Sequence, residues 1–128
     1  MPTIDELLQA LSANQLLNSE LFAVQDLDAV LDLRDSEPFD SAWMTSFNTI
    51  ASQWQAADMP LTAIDALRQQ AFLHASRHTQ QHEIASYISD DFELIGKMLL
   101  LQLDEPFIAH LLHEYQQHRL PTSIATAQ

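Results

Sequence analysis

Residues 89–101 read SDDFELIGKMLLL, and this stretch predicts a central helix of the protein. Ser89 is a residue type that caps helix N-termini, and Asp90 and Asp91 would follow in the first turn, beside the positive end of the helix dipole. Apolar residues then recur at helical spacing over a wide face: Phe92, Leu94, Ile95, Met98, Leu99 and Leu101. We therefore expect a buried helix, in which Gly96 allows a neighbouring helix or a bulky ring to approach closely.

The rest of the chain also favours helix over strand. One Gly and five Pro in 128 residues leave little material for hairpin turns, whereas Ala, Leu and Gln, which favour helix, are abundant. Thr3 to Glu6 has the pattern of a capping box, and Asp104-Glu105-Pro106 is typical of a helix start. Residues 41–57 predict a helix with one apolar face, formed by Trp43, Phe47, Ile50 and Trp54.

These signals predict an all-α fold, a compact bundle of five to seven short-to-medium helices around one core. We expect a single helical domain over residues 1–121 and a flexible C-terminal tail over residues 122–128. The pattern is least regular between residues 18 and 34, where it predicts one or two short helices, with Asp26 as the cap of residues 27–33. Pro38 and Pro60 mark the next two helix boundaries.

Charge restricts the classes of function that the chain can have. Eighteen Asp and Glu residues against five Lys and Arg give a formal net charge of −13, which argues against direct nucleic-acid binding because phosphate contacts need clustered cations. A surface of one sign instead accelerates encounters with partners of the opposite sign, here a basic protein. The chain has no Cys, no visible signal peptide and no apolar run long enough to span a bilayer. We expect a cytoplasmic protein without membrane contact.

The acidic residues concentrate in residues 26–40, called here the acidic segment. Arg34 is the only cation among them. Apolar residues such as Leu27, Val30, Leu31 and Phe39 alternate with the acids, so the segment can offer both charge and apolar contact. An ordinary solvated helix face is the alternative. We predict that the carboxylates of the segment bind a partner: Asp26, Asp28, Asp32, Asp35, Glu37 and Asp40.

Two groups of His residues raise the question of a metal site. His74, His78 and His82 follow one another at four-residue spacing, which lets two of them share an ion. The first and last would lie roughly 12 Å apart along a helix, so all three cannot bind one ion. A second group consists of His110, His113, Glu114 and His118. We expect His110 and His113 to face solvent. The three at 74–82 are the metal candidates, but we expect neither a metal nor another cofactor.

No catalytic motif accompanies these residues, since phosphate-binding loops and nucleophile turns need Gly at several positions. We therefore interpret the chain as a non-enzymatic, acidic protein-binding module. It would neutralise or escort a basic partner in the manner of an immunity protein or a chaperone. The alternatives are a His-cluster metalloprotein or enzyme, an acidic mimic of nucleic acid, and a structural homo-oligomer, for example a homodimer that associates through Trp43 and Trp54 or through Leu94 and Met98.

Overall fold

Six α-helices form the part of the chain that the computed structural model describes, residues 1–23 and 26–124. No strand occurs within these residues, so the predicted all-α bundle is confirmed. The predicted tail, residues 122–128, lies mostly outside the described residues. The helices are α1 (Ile4–Ser12), α2 (Leu27–Arg34), α3 (Phe39–Ala57), α4 (Thr62–Thr79), α5 (His82–Leu101) and α6 (Pro106–Gln116).

Helix α5 is the centre of the bundle, as its apolar pattern predicts. It packs most extensively against α4 and also contacts α1, α3 and α6. Phe92, Ile95 and Met98 on this helix are fully buried. Gly96 leaves room for two side chains of the neighbouring helix α4, because a Cβ atom here would lie 2.6 Å from Leu67 Cδ1 and 2.9 Å from Ile64 Cδ1. These distances are shorter than a carbon–carbon contact allows, so the predicted role of Gly96 is confirmed.

The helix starts follow three of the predicted caps. At α1, the Thr3 hydroxyl accepts from the Glu6 amide while the Glu6 carboxylate accepts from the Thr3 amide, which is the predicted capping box. The Asp26 carboxylate accepts from the Ala29 amide at the start of α2. Glu105 caps α6 in the same way, with Pro106 at its first position. Local chemistry thus sets these boundaries.

The predicted helix start at Ser89 is wrong. Helix α5 begins seven residues earlier, at His82, and the chain between α4 and α5 reverses at Gln80, which adopts the left-handed conformation with φ of 54°. Ser89 lies inside the helix and its hydroxyl donates to the Arg68 carbonyl oxygen on α4, at 3.1 Å. Asp90 and Asp91 therefore lie in the middle of α5, where Asp91 is buried and has a tertiary role.

The apolar face of α3 is only partly buried. Ile50 and Trp54 are buried, whereas Trp43 and Phe47 are half-buried and stack on each other with ring centroids 5.5 Å apart. The helix starts at Phe39, two residues before the predicted position. In the described part of the chain, no helix is long and apolar enough to cross a membrane.

The surface suggested for self-association through Leu94 and Met98 does not exist as an exposed face. Both side chains are buried in the core, at 1% and 0% exposure. Most of the apolar stripe of α5 is buried by packing within the bundle, mainly against α4, and Leu99 and Leu101 at its C-terminal end are half-buried. Trp43, also suggested for self-association, is half-buried and takes part in the site described next.

Candidate partner-binding site

Asp91 anchors a polar network inside the protein. Its carboxylate accepts two hydrogen bonds from the Arg34 guanidinium, at 2.7 and 3.0 Å, although 57 residues separate the two in sequence. Trp43 Nε1 donates to the same carboxylate at 2.9 Å and the Tyr115 hydroxyl at 2.6 Å. Asp91 has no exposed surface, so these four hydrogen bonds compensate for its removal from water.

Arg34 lies almost wholly inside the protein, with 5% of its surface exposed. It donates a further hydrogen bond to the Pro121 carbonyl oxygen at 3.1 Å, and its guanidinium lies 4.7 Å from the centre of the Phe39 ring. Burial is the largest single effect and lowers the pKa of Arg34, but the charge and hydrogen bonds of Asp91, together with contributions from Tyr115 and Tyr87, outweigh it and the pKa is raised. The charge of Arg34 is therefore neutralised internally and does not offset the acidic segment around it.

All six predicted partner-binding carboxylates are exposed. Asp28 and Asp32 are one helical turn apart on α2, and Asp35 follows at its C-terminus. Glu37 lies in the connection to α3 and accepts from the Ser41 amide at 3.0 Å. The acidic segment is thus a surface of one sign, since its only cation, Arg34, points inward to Asp91.

The apolar contribution of the acidic segment differs from the prediction. Val30, Leu31 and Phe39 are buried and hold the segment on the bundle, and Leu27 is half-buried. Large exposed apolar side chains do occur next to the carboxylates, but they are Leu33 at 55% exposure and Met44 at 44%. The prediction failed because the short helix α2 turns its regular apolar positions inward.

A cleft of about 170 Å³ opens where α2, α3 and α5 meet. Of the six predicted carboxylates, only Asp35 and Asp40 line it, and the other four lie outside it. Asp40 shares one face of α3 with two further lining residues, Trp43 and Met44, at the i+3 and i+4 positions. We call this the acidic cleft; its lining residues are Arg34, Asp35, Phe39, Asp40, Trp43, Met44, Tyr87 and Asp90.

Tyr87 and Asp90, from α5, are the members of the cleft that sequence reasoning missed. The Tyr87 hydroxyl donates to Asp35 at 2.6 Å, and this hydrogen bond is the largest of the effects that raise the pKa of Tyr87 to about 12. Asp90 accepts from Arg68 at 2.8 Å, while partial burial raises its pKa. The spacing of Tyr87 and Asp90, three residues apart on one helix, is the only sequence signal that would have paired them.

The His candidates at 74–82 do not converge with carboxylates. His74 is half-buried, and burial lowers its pKa. His78 and His82 are exposed and contact aromatic rings, with His78 stacked on Phe22 at 5.3 Å and His82 6.0 Å from Phe72. Within residues 1–23 and 26–124, no group of three or more potential ligands could hold a metal ion.

The second His group contains one further error. His110 is buried, and its Nε2 atom lies 3.7 Å from the Glu114 carboxylate, which also pairs with Arg119. His113 is exposed as predicted. Helix α6 buries a wider sector than its Ile108 and Leu112 face indicates, because both α3 and α5 pack against it.

A comparison with protein families identifies a match for most of the chain. A protein-family model described as "Immunity protein PIM1" matches residues 6–122, which include all six helices except the first two residues of α1. A comparison with curated proteins finds no match.

Proposed function

The chain belongs to the PIM1 family of immunity proteins, and on that premise we propose that it neutralises a toxin by binding a basic surface of that toxin through its acidic segment. Family membership indicates a protein partner and a binding role instead of catalysis. The basic character of the partner and the position of the contact are our inference from the structure.

The arrangement of charge around Arg34 is the observation that carries this proposal. Six exposed carboxylates lie within residues 26–40, and the one cation among them is sequestered by Asp91. Elsewhere the cations and acids are mixed, since Arg68 pairs with Asp90 and Glu93, and Lys97 also pairs with Glu93. A surface of unbalanced carboxylates attracts a basic partner and repels acidic ones, which supports both association rate and selectivity.

Leu33 and Met44 supply the apolar part of the proposed contact. Interfaces combine a desolvated apolar centre with a polar rim, and a few buried anchors carry most of their binding free energy. The two exposed side chains flank the carboxylates of the acidic segment and thus provide such anchors. Half-buried Trp43 adds an aromatic surface beside them.

The test is affinity capture from native lysate at low salt, followed by elution in a salt gradient and identification of the eluted protein. The captured protein must arrest growth when it is expressed alone, and coexpression of this chain must restore growth. A basic protein that meets both conditions supports the proposal. A toxin with an acidic binding surface, or binding that is insensitive to salt, contradicts it.

A matched pair of variants tests whether the toxin contacts the acidic segment. The segment variant replaces every carboxylate of the acidic segment by its neutral amide: Asp26→Asn, Asp28→Asn, Asp32→Asn, Asp35→Asn, Glu37→Gln and Asp40→Asn. The distal variant makes six equivalent changes at exposed acids elsewhere: Asp5→Asn, Glu6→Gln, Glu20→Gln, Asp58→Asn, Asp65→Asn and Asp104→Asn. Both change the formal net charge from −13 to −7.

We expect the segment variant to lose protection and the distal variant to keep it. The amides retain the hydrogen-bonding capacity of the caps, since Asn is as good an N-cap as Asp, so both variants should fold. Equal protection by both variants would show that the acidic segment is not the contact surface.

A further inference from the structure

We propose that the acidic cleft binds one arginine side chain of the toxin. This inference rests on the proposed function and names the chemical group that the cleft recognises. It adds Tyr87 and Asp90 of α5 to the contact, neither of which belongs to the acidic segment. The cleft would thus fix the orientation of a partner that the exposed carboxylates attract.

The size of the cleft favours a single side chain. Pockets for cofactors and drug-sized ligands are typically about 300–1,000 Å³. The acidic cleft, at about 170 Å³, is smaller than this range. It opens on the surface beside the exposed side chain of Met44, which belongs to the proposed contact.

The charges lining the cleft favour a cation. Three carboxylates face it, those of Asp35, Asp40 and Asp90. Arg34 is the only Lys or Arg among the lining residues, and Asp91 neutralises it with a bidentate ion pair. Burial raises the pKa of Asp90, so a second cation beside Arg68 would stabilise its ionised form.

The aromatic walls favour a guanidinium over an ammonium group. A planar guanidinium group stacks flat on an aromatic ring and binds a carboxylate with two parallel hydrogen bonds, whereas an ammonium group contacts both only as a point charge. The cleft already contains such a contact, because the Arg34 guanidinium lies over the Phe39 and Tyr87 rings at 4.7 and 5.6 Å. Trp43, stacked on Phe47, offers a further ring at the cleft.

Arg34 also leaves one hydrogen-bond donor unsatisfied beside the cleft. Its Nε atom is buried and has no hydrogen-bond partner among the described residues, and a buried donor without an acceptor destabilises the protein. The polar groups beside the cleft are therefore not all satisfied within the described part of the chain, as expected for a surface that a bound partner completes.

The experiment is an NMR titration of the full chain with N-acetyl-arginine amide. The neutral isostere N-acetyl-citrulline amide and N-acetyl-lysine amide are the comparison probes. We expect the Trp43 indole resonance to shift with the arginine probe at a Kd on the order of 1–10 mM, while buried Trp54 serves as the internal reference. Lysine should bind more weakly, and citrulline should cause no shift.

Single substitutions separate the cleft from the rest of the acidic segment. Asp40→Asn should weaken arginine binding about fivefold, the upper end for an exposed ion pair. Asp28→Asn, an equal change of charge outside the cleft, should leave it unchanged. An absent shift, an equal shift with citrulline, or equal effects of the two substitutions would overturn the inference.

The two proposals fail in different ways. If arginine does not bind but the segment variant still loses protection, the cleft inference is wrong and the proposed function stands. If the segment variant protects as well as the unmodified chain, the proposed function is wrong, and the cleft inference falls with it whatever the titration shows.

Discussion

At the residue scale, Asp91 connects four parts of the chain. Its donors come from α2, α3 and α6, and Arg34 extends the connection to the carbonyl of Pro121. Helix α2 has only eight residues and few other contacts with the bundle. The buried pair is therefore the main polar link that positions the acidic segment against α5.

Replacing Asp91 by Asn should lower the free energy of unfolding by about 3–5 kcal/mol, because it leaves the buried charge of Arg34 without a counter-ion. Urea unfolding followed by Trp fluorescence measures this change. Arg68→Met is the control: its pair with Asp90 is substantially exposed, and Glu93, its other partner, keeps Lys97 as a counter-ion, so the loss should be less than about 1 kcal/mol.

The double variant Arg34→Met with Asp91→Asn provides a second measurement. The two changes should be less destabilising together than the sum of the single changes, because the second removes a charge that the first leaves unpaired. Strict additivity would show that Arg34 and Asp91 contribute independently.

The ion pair could not be predicted from the sequence. Asp91 follows Ser89 and Asp90, a run that is typical of a helix start, and local chemistry does not distinguish a capping acid from a buried one. Its partner lies 57 residues away, and only the packing of α2 on α3 and α5 brings the two together. Tertiary contact thus overrides the local signal.

Tyr87 gives a pH-dependent report on Asp35. In the Asp35→Asn variant, the pKa of Tyr87 should fall from about 12 towards its ordinary value of 10.0, because the hydrogen bond to Asp35 is the largest cause of the increase. The raised pKa means that the neutral phenol is favoured in the folded state. Its stabilising contribution is present below about pH 10 and is lost as the pH rises towards 12.

Ultraviolet absorbance of the phenolate during alkaline titration measures this pKa. Tyr115 does not interfere, because its own pKa is raised well above the ordinary value by complete burial. Asp28→Asn should leave the titration unchanged. An unaltered pKa of Tyr87 in the Asp35→Asn variant would contradict the hydrogen bond that positions the two side chains at the cleft.

At the element scale, α2 carries its charges at a cost to its own stability. Asp28 and Asp32 form a like-charge pair at i and i+4, and Asp32 and Asp35 lie near the negative end of the helix dipole. Arg34 is the only positive charge in the last turn of α2, and its ion pair with Asp91 neutralises it. Such an arrangement is expected where binding, not stability, determines the residues.

Asp32→Asn should therefore stabilise the protein slightly, by about 0.3–0.5 kcal/mol, while it weakens toxin binding. Thermal unfolding and titration of the captured toxin measure the two effects on the same sample. The control is Asp65→Asn, in the first turn of α4, where removal of a favourable charge should reduce stability and leave binding unchanged. A loss of stability in Asp32→Asn would contradict the unfavourable charge interactions assigned to α2.

The elements themselves were largely predictable. The caps at Thr3 and Asp26 and the apolar stripe of α5 all determine helices that the structure contains. The start of α5 was not predictable, because Gln80 reverses the chain without Gly or Pro and Ser89 imitates a cap. As a result, the sequence did not indicate that Tyr87 lies on the same helix as Asp90.

At the scale of the whole molecule, the net charge could be read from the sequence, but its distribution could not. Four of the five Lys and Arg residues form ion pairs, and only Arg34 is withdrawn from the surface. The acidic segment could therefore be identified from the sequence. That no cation on its surface neutralises it follows from the burial of Arg34, which only the structure shows. The acidic cleft follows from the convergence of three helices, which no sequence spacing records.

This distribution predicts how salt will affect binding to the captured toxin. Between about 0.01 M and about 1 M salt the screening length falls from about 30 Å to about 3 Å, so the association rate constant should fall about 10- to 100-fold. The dissociation rate constant should change less, because it reflects contacts made after docking. Stopped-flow measurements over a salt series give both constants.

The segment and distal variants decide whether local or total charge is responsible. Both have a net charge of −7, so a steering effect of total charge would reduce their salt dependence equally. If the acidic segment guides the encounter, the segment variant should lose most of the salt dependence. The distal variant should retain the salt dependence, because it keeps the carboxylates of the acidic segment, which lie within a screening length of the partner during approach.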